Sequence, residues 1–167
     1  MTAEQEFKLP APGPEHELLK PFEGTFTAKV TMWMGPGEPT VSSGKIVNSF
    51  QLGGLYLHQS YQGDPNDGPF PSFEGQGFWG FNSTSRNFEG FWIDNVSTAM
   101  QMETGTVDET GKVFEMKSEF MMPGSDIKMK KRTLFTVHSN DHNTMESFVT
   151  PPNAPEVRNM MIEYQRA

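Results

Sequence analysis

The chain has 167 residues, a formal net charge of −8, no cysteine and 12% aromatic residues, chiefly 14 phenylalanines. That length suits one domain with a sizeable core, and the aromatic content argues against disorder. The acidic balance predicts no nucleic-acid partner and no docking on anionic membranes. The lack of cysteine excludes thiol nucleophiles, disulfides and thiolate metal sites.

The start of the chain shows neither the basic residues nor the apolar stretch of an export signal. No window reaches the roughly 20 apolar residues of a transmembrane helix. We therefore expect a cytoplasmic protein. Residues 1–14 carry three prolines and predict a flexible arm, followed by a single domain over 15–167. The segment "PEHELLKPF" predicts one short helix, because proline suits a first-turn position.

From Gly24 onward the pattern predicts strands and no further helix. In "TFTAKVTMW" apolar residues alternate with polar ones, as in a strand with one face in the core. We expect "GPGEPTVSSG" to be a long loop, and "KIVNSF" and "LYLHQSYQ" to be two strands separated by a turn at Gly53 and Gly54. The later predicted strands are "EGQGFWGF", "NFEGFWID", "TAMQMETGTV", "KVFEMKSEFMM", "IKMKKRTLFTVHS", "TMESFVT" and "NMMIEYQR".

About ten antiparallel strands in sequential order predict an all-β fold, a closed up-and-down barrel with one short N-terminal helix. Closure removes the exposed edges of such a meander, and a barrel of this size has room for a small ligand. A two-sheet sandwich is the alternative. The glycines of "EGQGFWGF" precede no helix, so a phosphate-binding loop is not expected. Gly75 and Gly77 instead predict sharp curvature or close approach of bulky neighbours such as Trp79 and Trp92.

Several segments together resemble a known family. "LLKPFEGTFTAKV", with Gly24-Thr25-Phe26, is similar to the plug helix and first strand of lipocalin-like (calycin) barrels. With "GGLYLHQSYQGD", "FEGQGFWGFN", "WIDNVST" and "IEYQR", the chain resembles, over residues 12–166, a bacterial lipocalin-like family catalogued as a domain of unknown function. The resemblance implies a barrel in which Phe26 packs across the floor against the plug helix. It implies no activity.

The four histidines, His16, His58, His138 and His142, are scattered along the chain, and no cysteine accompanies them as a metal ligand. We expect surface positions for them, and no metal site, haem or other cofactor. Haem binding through His138 or His142 stays open as an alternative, because related barrels use a late histidine. The basic stretch "KMKKR", with Lys128, Lys130, Lys131 and Arg132, is typical of a solvated strand face, although an anionic ligand is an alternative.

The stretch "NFEGFWIDNVST" places an acid, Asp94, directly after an aromatic run. Strand alternation puts Asp94 on the same face as Trp92. Three interpretations follow: a cap of the turn "DNVS", a ligand-facing acid inside the barrel, or a catalytic acid or base.

We predict that the interior binds a small apolar or amphipathic organic molecule, because such pockets are largely apolar with few convergent polar groups. The predicted apolar contacts are Trp92, Tyr61, Phe81 and Met102. The predicted polar end is Asp94, supported by Thr98 and Gln59, with Arg132 as a further donor. The alternatives are a non-catalytic structural module, including a homodimer, and an enzyme that uses Asp94.

Overall fold

The computed structural model describes residues 7–167. The first six residues of the predicted arm therefore lie outside the described residues, and residues 7–13 form neither helix nor strand. Helix α1 (Pro14–Glu17) and a 3₁₀ turn at Lys20–Phe22 follow, as the sequence predicts. Pro14 occupies the first turn of α1, where its missing N–H has no partner to lose.

Ten strands form the remainder of the described chain. They are β1 (Gly24–Met32), β2 (Thr40–Gln51), β3 (Tyr56–Gly63), β4 (Glu74–Asn82), β5 (Asn87–Asp94), β6 (Gln101–Val107), β7 (Val113–Met121), β8 (Lys128–Val137), β9 (His142–Thr150) and β10 (Val157–Arg166). Each strand pairs antiparallel with the next, and β10 pairs with β1. The predicted closed up-and-down barrel is confirmed.

Strand β2 begins earlier than predicted, inside the segment expected to be a loop. Residues 40–43 pair with 29–32 of β1. Both faces of "TVSS" are mostly polar or exposed, so the alternation that identifies a strand is absent from the sequence. Backbone pairing with β1 determines the structure here, and it places the start of β2 at one rim of the barrel.

The two ends of the barrel differ because the strands alternate in direction. Tight turns and α1 lie at one end, and the five longer connections lie at the other. The end with α1 is closed by a cluster of buried apolar side chains: Leu19, Phe22, Leu57, Trp79, Phe88, Phe114, Met116 and Val137. Contrary to expectation, His16 is buried there, because its ring packs against Phe81 and its Nδ1 accepts a hydrogen bond from the Gly13 N–H at 3.0 Å.

A second apolar cluster surrounds Phe26, which is 1% exposed, and contains Ile46, Tyr61 and Ile162. The Arg166 guanidinium lies over the Phe26 ring at 4.5 Å from its centroid. Arg166 also donates hydrogen bonds to the carbonyls of Pro21, Glu23 and Asn140. Phe26 is buried as expected, but its apolar cluster contains no residue of the plug helix, and Arg166 links it to the segment that follows α1.

Replacing Phe26 with alanine should lower the free energy of unfolding by about 3–5 kcal/mol, as for other large-to-small core substitutions. The loss combines an unfilled cavity with the removal of the aromatic face beneath Arg166. Reversible denaturant unfolding measures it. Phe7→Ala is the control, since Phe7 is 84% exposed and its truncation should leave stability nearly unchanged. A loss below about 1 kcal/mol for Phe26→Ala would contradict this packing.

Candidate functional site

A cavity of about 340 Å³ lies inside the barrel and extends to the end with the longer connections. One wall, from β1, β2, β3 and β10, is mainly apolar and contains Val30, Ile46, Tyr61, Met160, Ile162 and Tyr164. The other wall, from β5, β6 and β8, is polar and contains Asp94, Gln101, Glu103, Lys131 and Thr133. The interior is therefore amphipathic.

Two tryptophans shape this cavity by lying across glycines of neighbouring strands. Trp79 is paired with Gly90, where an added Cβ would come within 2.5 Å of the indole ring. Trp92 is paired with Gly77, and an added Cβ would meet the Trp92 ring at 2.9 Å there and at 2.1 Å on Gly75. The predicted close approach of bulky neighbours to Gly75 and Gly77 is confirmed.

Asp94 caps a turn with one oxygen and lines the cavity with the other. Its Oδ1 accepts a hydrogen bond from the Val96 N–H at 3.2 Å, which caps the turn after β5. Its Oδ2 faces the cavity and accepts bonds from Trp92 Nε1 at 3.2 Å and from Gln101 Nε2 at 3.4 Å. The Lys131 ammonium donates to Gln101 Oε1 at 3.5 Å. Asp94, Gln101 and Lys131 thus form one chain of polar contacts.

Glu103 is a cavity residue that sequence reasoning missed. Desolvation raises its pKa, while the charge of Lys131 and polar contacts from Trp79 and Thr133 act in the opposite direction. The Thr133 contact falls short of a hydrogen bond, because the Thr133 hydroxyl, which is 1% exposed, has no hydrogen-bond partner among the described residues. Glu103 is thus a carboxylate held largely away from water with incomplete hydrogen bonding.

The register of β5 with β6 explains this position. Glu103 lies opposite Gly90, which itself lies opposite Trp79. Because Gly90 has no side chain, the Trp79 indole extends across it toward Glu103. The pairing of Trp92 with Gln101 indicates that Gln101 and Glu103 face the interior. Directly opposite residues share a face of the sheet, and Trp92 is predicted from the sequence to face inward.

Lys131 also departs from the prediction of a solvated basic face. Alternation along β8 turns Met129, Lys131 and Thr133 inward, whereas Lys128 and Lys130 are exposed. Arg132 points outward and pairs with Glu156 and Glu115, so it does not contact Asp94. One lysine of the basic stretch is therefore an interior group, because a period of two assigns neighbouring residues to opposite faces.

The structure brings together four of the predicted ligand contacts: Trp92, Asp94, Gln59 and Tyr61 all line the cavity. The remaining three lie elsewhere. Phe81 packs against His16 and Phe88 near the closed end, Thr98 is exposed in the connection after β5, and Met102 is 61% exposed on the outer surface. Met102 is outward because β6 turns its polar residues, Gln101 and Glu103, inward.

Two tyrosines, the buried Tyr61 and the partly buried Tyr164, supply neutral hydroxyls to the apolar wall. Desolvation, with a smaller contribution from the Asp64 charge, raises the pKa of Tyr61 to about 12. Burial, followed by the neighbouring Tyr61, raises the pKa of Tyr164 further above its ordinary value. Both phenols therefore keep their protons at neutral pH, and they present hydrogen-bond donors beside apolar rings.

The other histidines lie away from the cavity. His58 faces outward, with its ring on Phe78 and its Nε2 at 3.2 Å from Gln76 Oε1. His138 and His142 stack at 4.7 Å between centroids beside the turn that joins β8 to β9, at the closed end. Within residues 7–167, no three metal-ligating side chains converge, and no helix is long and apolar enough to cross a membrane.

A closed meander barrel with a plug helix and an interior cavity defines a lipocalin-like protein. The chain belongs to the family described as "Protein of unknown function (DUF1579)", which matches residues 11–166. No curated protein matches its sequence.

Solved structures share the fold at low sequence identity. Rv2717c from M. tuberculosis is 16% identical, with a TM-score of 0.65 and coverage of 93% of this chain and 98% of that chain. The S-type phycobiliprotein lyase CPES from Guillardia theta is 11% identical, with a TM-score of 0.59 and the same coverage, 93% and 98%. At these identities the similarity establishes the fold alone.

Gly90→Ala should destabilise the protein by about 1–3 kcal/mol, because the new methyl group overlaps the Trp79 ring and the indole must move. Denaturant unfolding followed by tryptophan fluorescence measures the loss and the altered indole environment together. Gly13→Ala is the control, since its added Cβ would only reach ordinary contact, 3.5 Å from the Glu15 side chain. Unchanged stability and emission in Gly90→Ala would contradict the proposed Trp79 packing.

Glu103→Gln should gain stability relative to the wild type as the pH rises. The fold holds the Glu103 pKa above its ordinary value of 4.5, so ionisation is less favourable in the folded state than in the unfolded state. The glutamate's contribution is therefore fully present below about pH 4.5 and is lost as the pH increases through the raised pKa. Denaturant unfolding at several pH values tests this, with Glu109→Gln, on an exposed turn, as control. A difference that does not vary with pH would contradict desolvation of Glu103.

Proposed function

We propose that this protein binds a small amphipathic organic molecule inside its barrel. The observation that carries the proposal is the cavity of about 340 Å³, with one apolar wall and one polar wall. Small-molecule sites are typically concave and mainly apolar, with a few convergent polar groups that fix orientation. Trp92, Tyr61, Gln59 and Asp94 retain the roles that the sequence predicts for them as ligand contacts.

An aromatic path leads from the interior toward the mouth. The ring of Tyr61 packs edge-on against Phe73 at 5.7 Å between centroids, and Phe73 packs against Phe70 at 6.5 Å. Phe70 and Phe73 belong to the connection between β3 and β4, which borders the cavity. These rings offer apolar surface to the tail of a ligand whose polar end reaches the opposite wall.

The fold similarity to a phycobiliprotein lyase is compatible with binding an organic molecule, but the proposal rests on the cavity of this chain. Asp94 supports binding more strongly than catalysis. Its two oxygens already accept three hydrogen bonds from Val96, Trp92 and Gln101, an arrangement that fixes an ionised carboxylate in place. A purely structural module is the competing candidate, and it predicts no ligand uptake.

The test is fluorescence titration with N-phenyl-1-naphthylamine, an uncharged apolar probe that carries one N–H donor. The wild type should bind it with saturation at one site. Asp94→Asn should keep the fold and the turn cap but weaken probe binding about tenfold, because roughly one charge-assisted hydrogen bond is lost.

Asp108→Asn is the matched control. Asp108 also caps a turn through hydrogen bonds to Thr110, Lys112 and Val113, but it lies at the opposite end of the barrel. Its substitution should leave probe affinity unchanged. Absence of probe binding to the wild type would overturn the proposed function. If Asp94→Asn loses stability but keeps its probe affinity, Asp94 only caps the turn and does not contact the ligand.

A further inference from the structure

The polar groups of the cavity divide into those that satisfy one another and those that do not. Asp94, Gln101 and Lys131 belong to the first set, because the Lys131 ammonium donates to Gln101 and the Gln101 amide donates to Asp94. Trp92 completes the set through its indole N–H. Each of these groups already has at least one partner, although Lys131 keeps further N–H donors and Asp94 keeps one acceptor position.

The second set consists of hydrogen-bond acceptors. Among the described residues, Thr133 Oγ1 and Asn159 Oδ1 are buried without a hydrogen-bond partner, and both residues line the cavity. The Glu103 carboxylate lies near the charge of Lys131 and has polar contacts with Trp79 and Thr133, of which the Thr133 contact falls short of a hydrogen bond. A buried polar atom without a partner is costly, so these positions favour a ligand that brings donors.

These acceptors lie close to one another in the interior. Glu103 has side-chain contacts with Trp79 and Thr133, and Thr133 is paired with Ser147, which is paired with Met160 next to Asn159. Glu103 lies deeper than Asp94, because it pairs with Gly90 inside β5 whereas Asp94 ends that strand at the mouth. A ligand can therefore place its head group between Glu103 and Thr133 while its tail follows the Tyr61–Phe73–Phe70 path outward.

Charge determines which donor fits best. The cavity contains two carboxylates, Asp94 and Glu103, and one ammonium, Lys131, so its fully ionised form is negative. A ligand carboxylate would add a third anion to this space, which holds a single ammonium, Lys131. A cationic nitrogen would instead compensate the excess carboxylate and donate several hydrogen bonds at once.

We propose that the ligand's buried end is a positively charged, hydrogen-bond-donating nitrogen, as in an alkyl amine, held by Glu103 together with Thr133. This inference rests on the proposed function and specifies its ligand class. Glu103 supplies the charge and Thr133 supplies an acceptor oxygen. Asp94 accepts three hydrogen bonds and keeps a position for one further donor near the mouth, and it orients the neighbouring wall through Trp92 and Gln101.

Competition against bound N-phenyl-1-naphthylamine tests the class with three ligands of one chain length: decylamine, decanoate and decanol. At neutral pH, decylamine should displace the probe at about tenfold lower concentration than decanoate or decanol, as expected for one additional hydrogen bond to a charged group. Glu103→Gln should abolish that advantage for decylamine and leave decanol unchanged. Glu109→Gln, on an exposed turn, should preserve the wild-type order.

Each failure has a distinct meaning. If the probe does not bind at all, the proposed function fails and this inference fails with it. If the probe binds but decanoate competes as well as decylamine, or Glu103→Gln keeps the amine preference, the ligand class is wrong and the binding site stands. Thr133→Val provides a second variant if Glu103→Gln does not fold. It should weaken decylamine selectively, and equal weakening of decanol would contradict a role in holding the nitrogen.

Discussion

The packing of two indole rings against glycine backbones is the constraint on which the interior depends. Trp79 lies over Gly90, and Trp92 lies over Gly77 and Gly75. A β-carbon at any of these glycines would occupy space that the ring now fills. Each indole therefore lies against the backbone of the strand next to its own. Without these glycines, two of the largest side chains would project into the space that forms the cavity.

The same packing positions the polar groups. Gly90 of β5 lies between Trp79 of β4 and Glu103 of β6 in one row of paired residues. Because Gly90 has no side chain, the Trp79 indole extends across β5 to the Glu103 carboxylate. Trp92 directs its Nε1 to Asp94 on its own strand. A cluster of charged and amide groups inside a barrel costs free energy unless it is paired. Here part of the cluster is paired, and the acceptor atoms Thr133 Oγ1 and Asn159 Oδ1 have no partner among the described residues. Unpaired acceptors of this kind distinguish the cavity from an inert core.

The fold was predictable because turn residues and alternating faces recur in sequence from Gly24 onward, and because closure removes exposed edges. The start of β2 was not predictable, since "TVSS" gives no contrast between its two faces and only pairing with β1 identifies it as strand. Trp92, Asp94, Gln59 and Tyr61 were found inside because their strands have a clear apolar face.

The missed site residues have a common cause. In β6 and β8 the inward positions include Glu103 and Lys131, while the outward positions include exposed Met102. Local hydrophobicity therefore indicates the wrong face of β6 and hides an interior lysine in β8. Only pairing with strands of known orientation assigns the faces correctly. A binding site needs polar residues at inward positions, where a core strand would have apolar ones. The alternation of apolar and polar residues is therefore lost at the site, and it no longer identifies the inward face.

Nuclear magnetic resonance of the tryptophan indole N–H groups tests directly whether a ligand binds inside the barrel. The chain has three tryptophans: Trp79 and Trp92 line the cavity, whereas Trp33 lies under the guanidinium of Arg158 and is not part of the cavity wall. Titration with decylamine should shift the indole resonances of Trp79 and Trp92 along one saturable binding curve, and the Trp33 resonance should stay fixed. A shift of Trp33 alone, or no shift of Trp79 and Trp92 at saturating decylamine, would contradict an interior binding site.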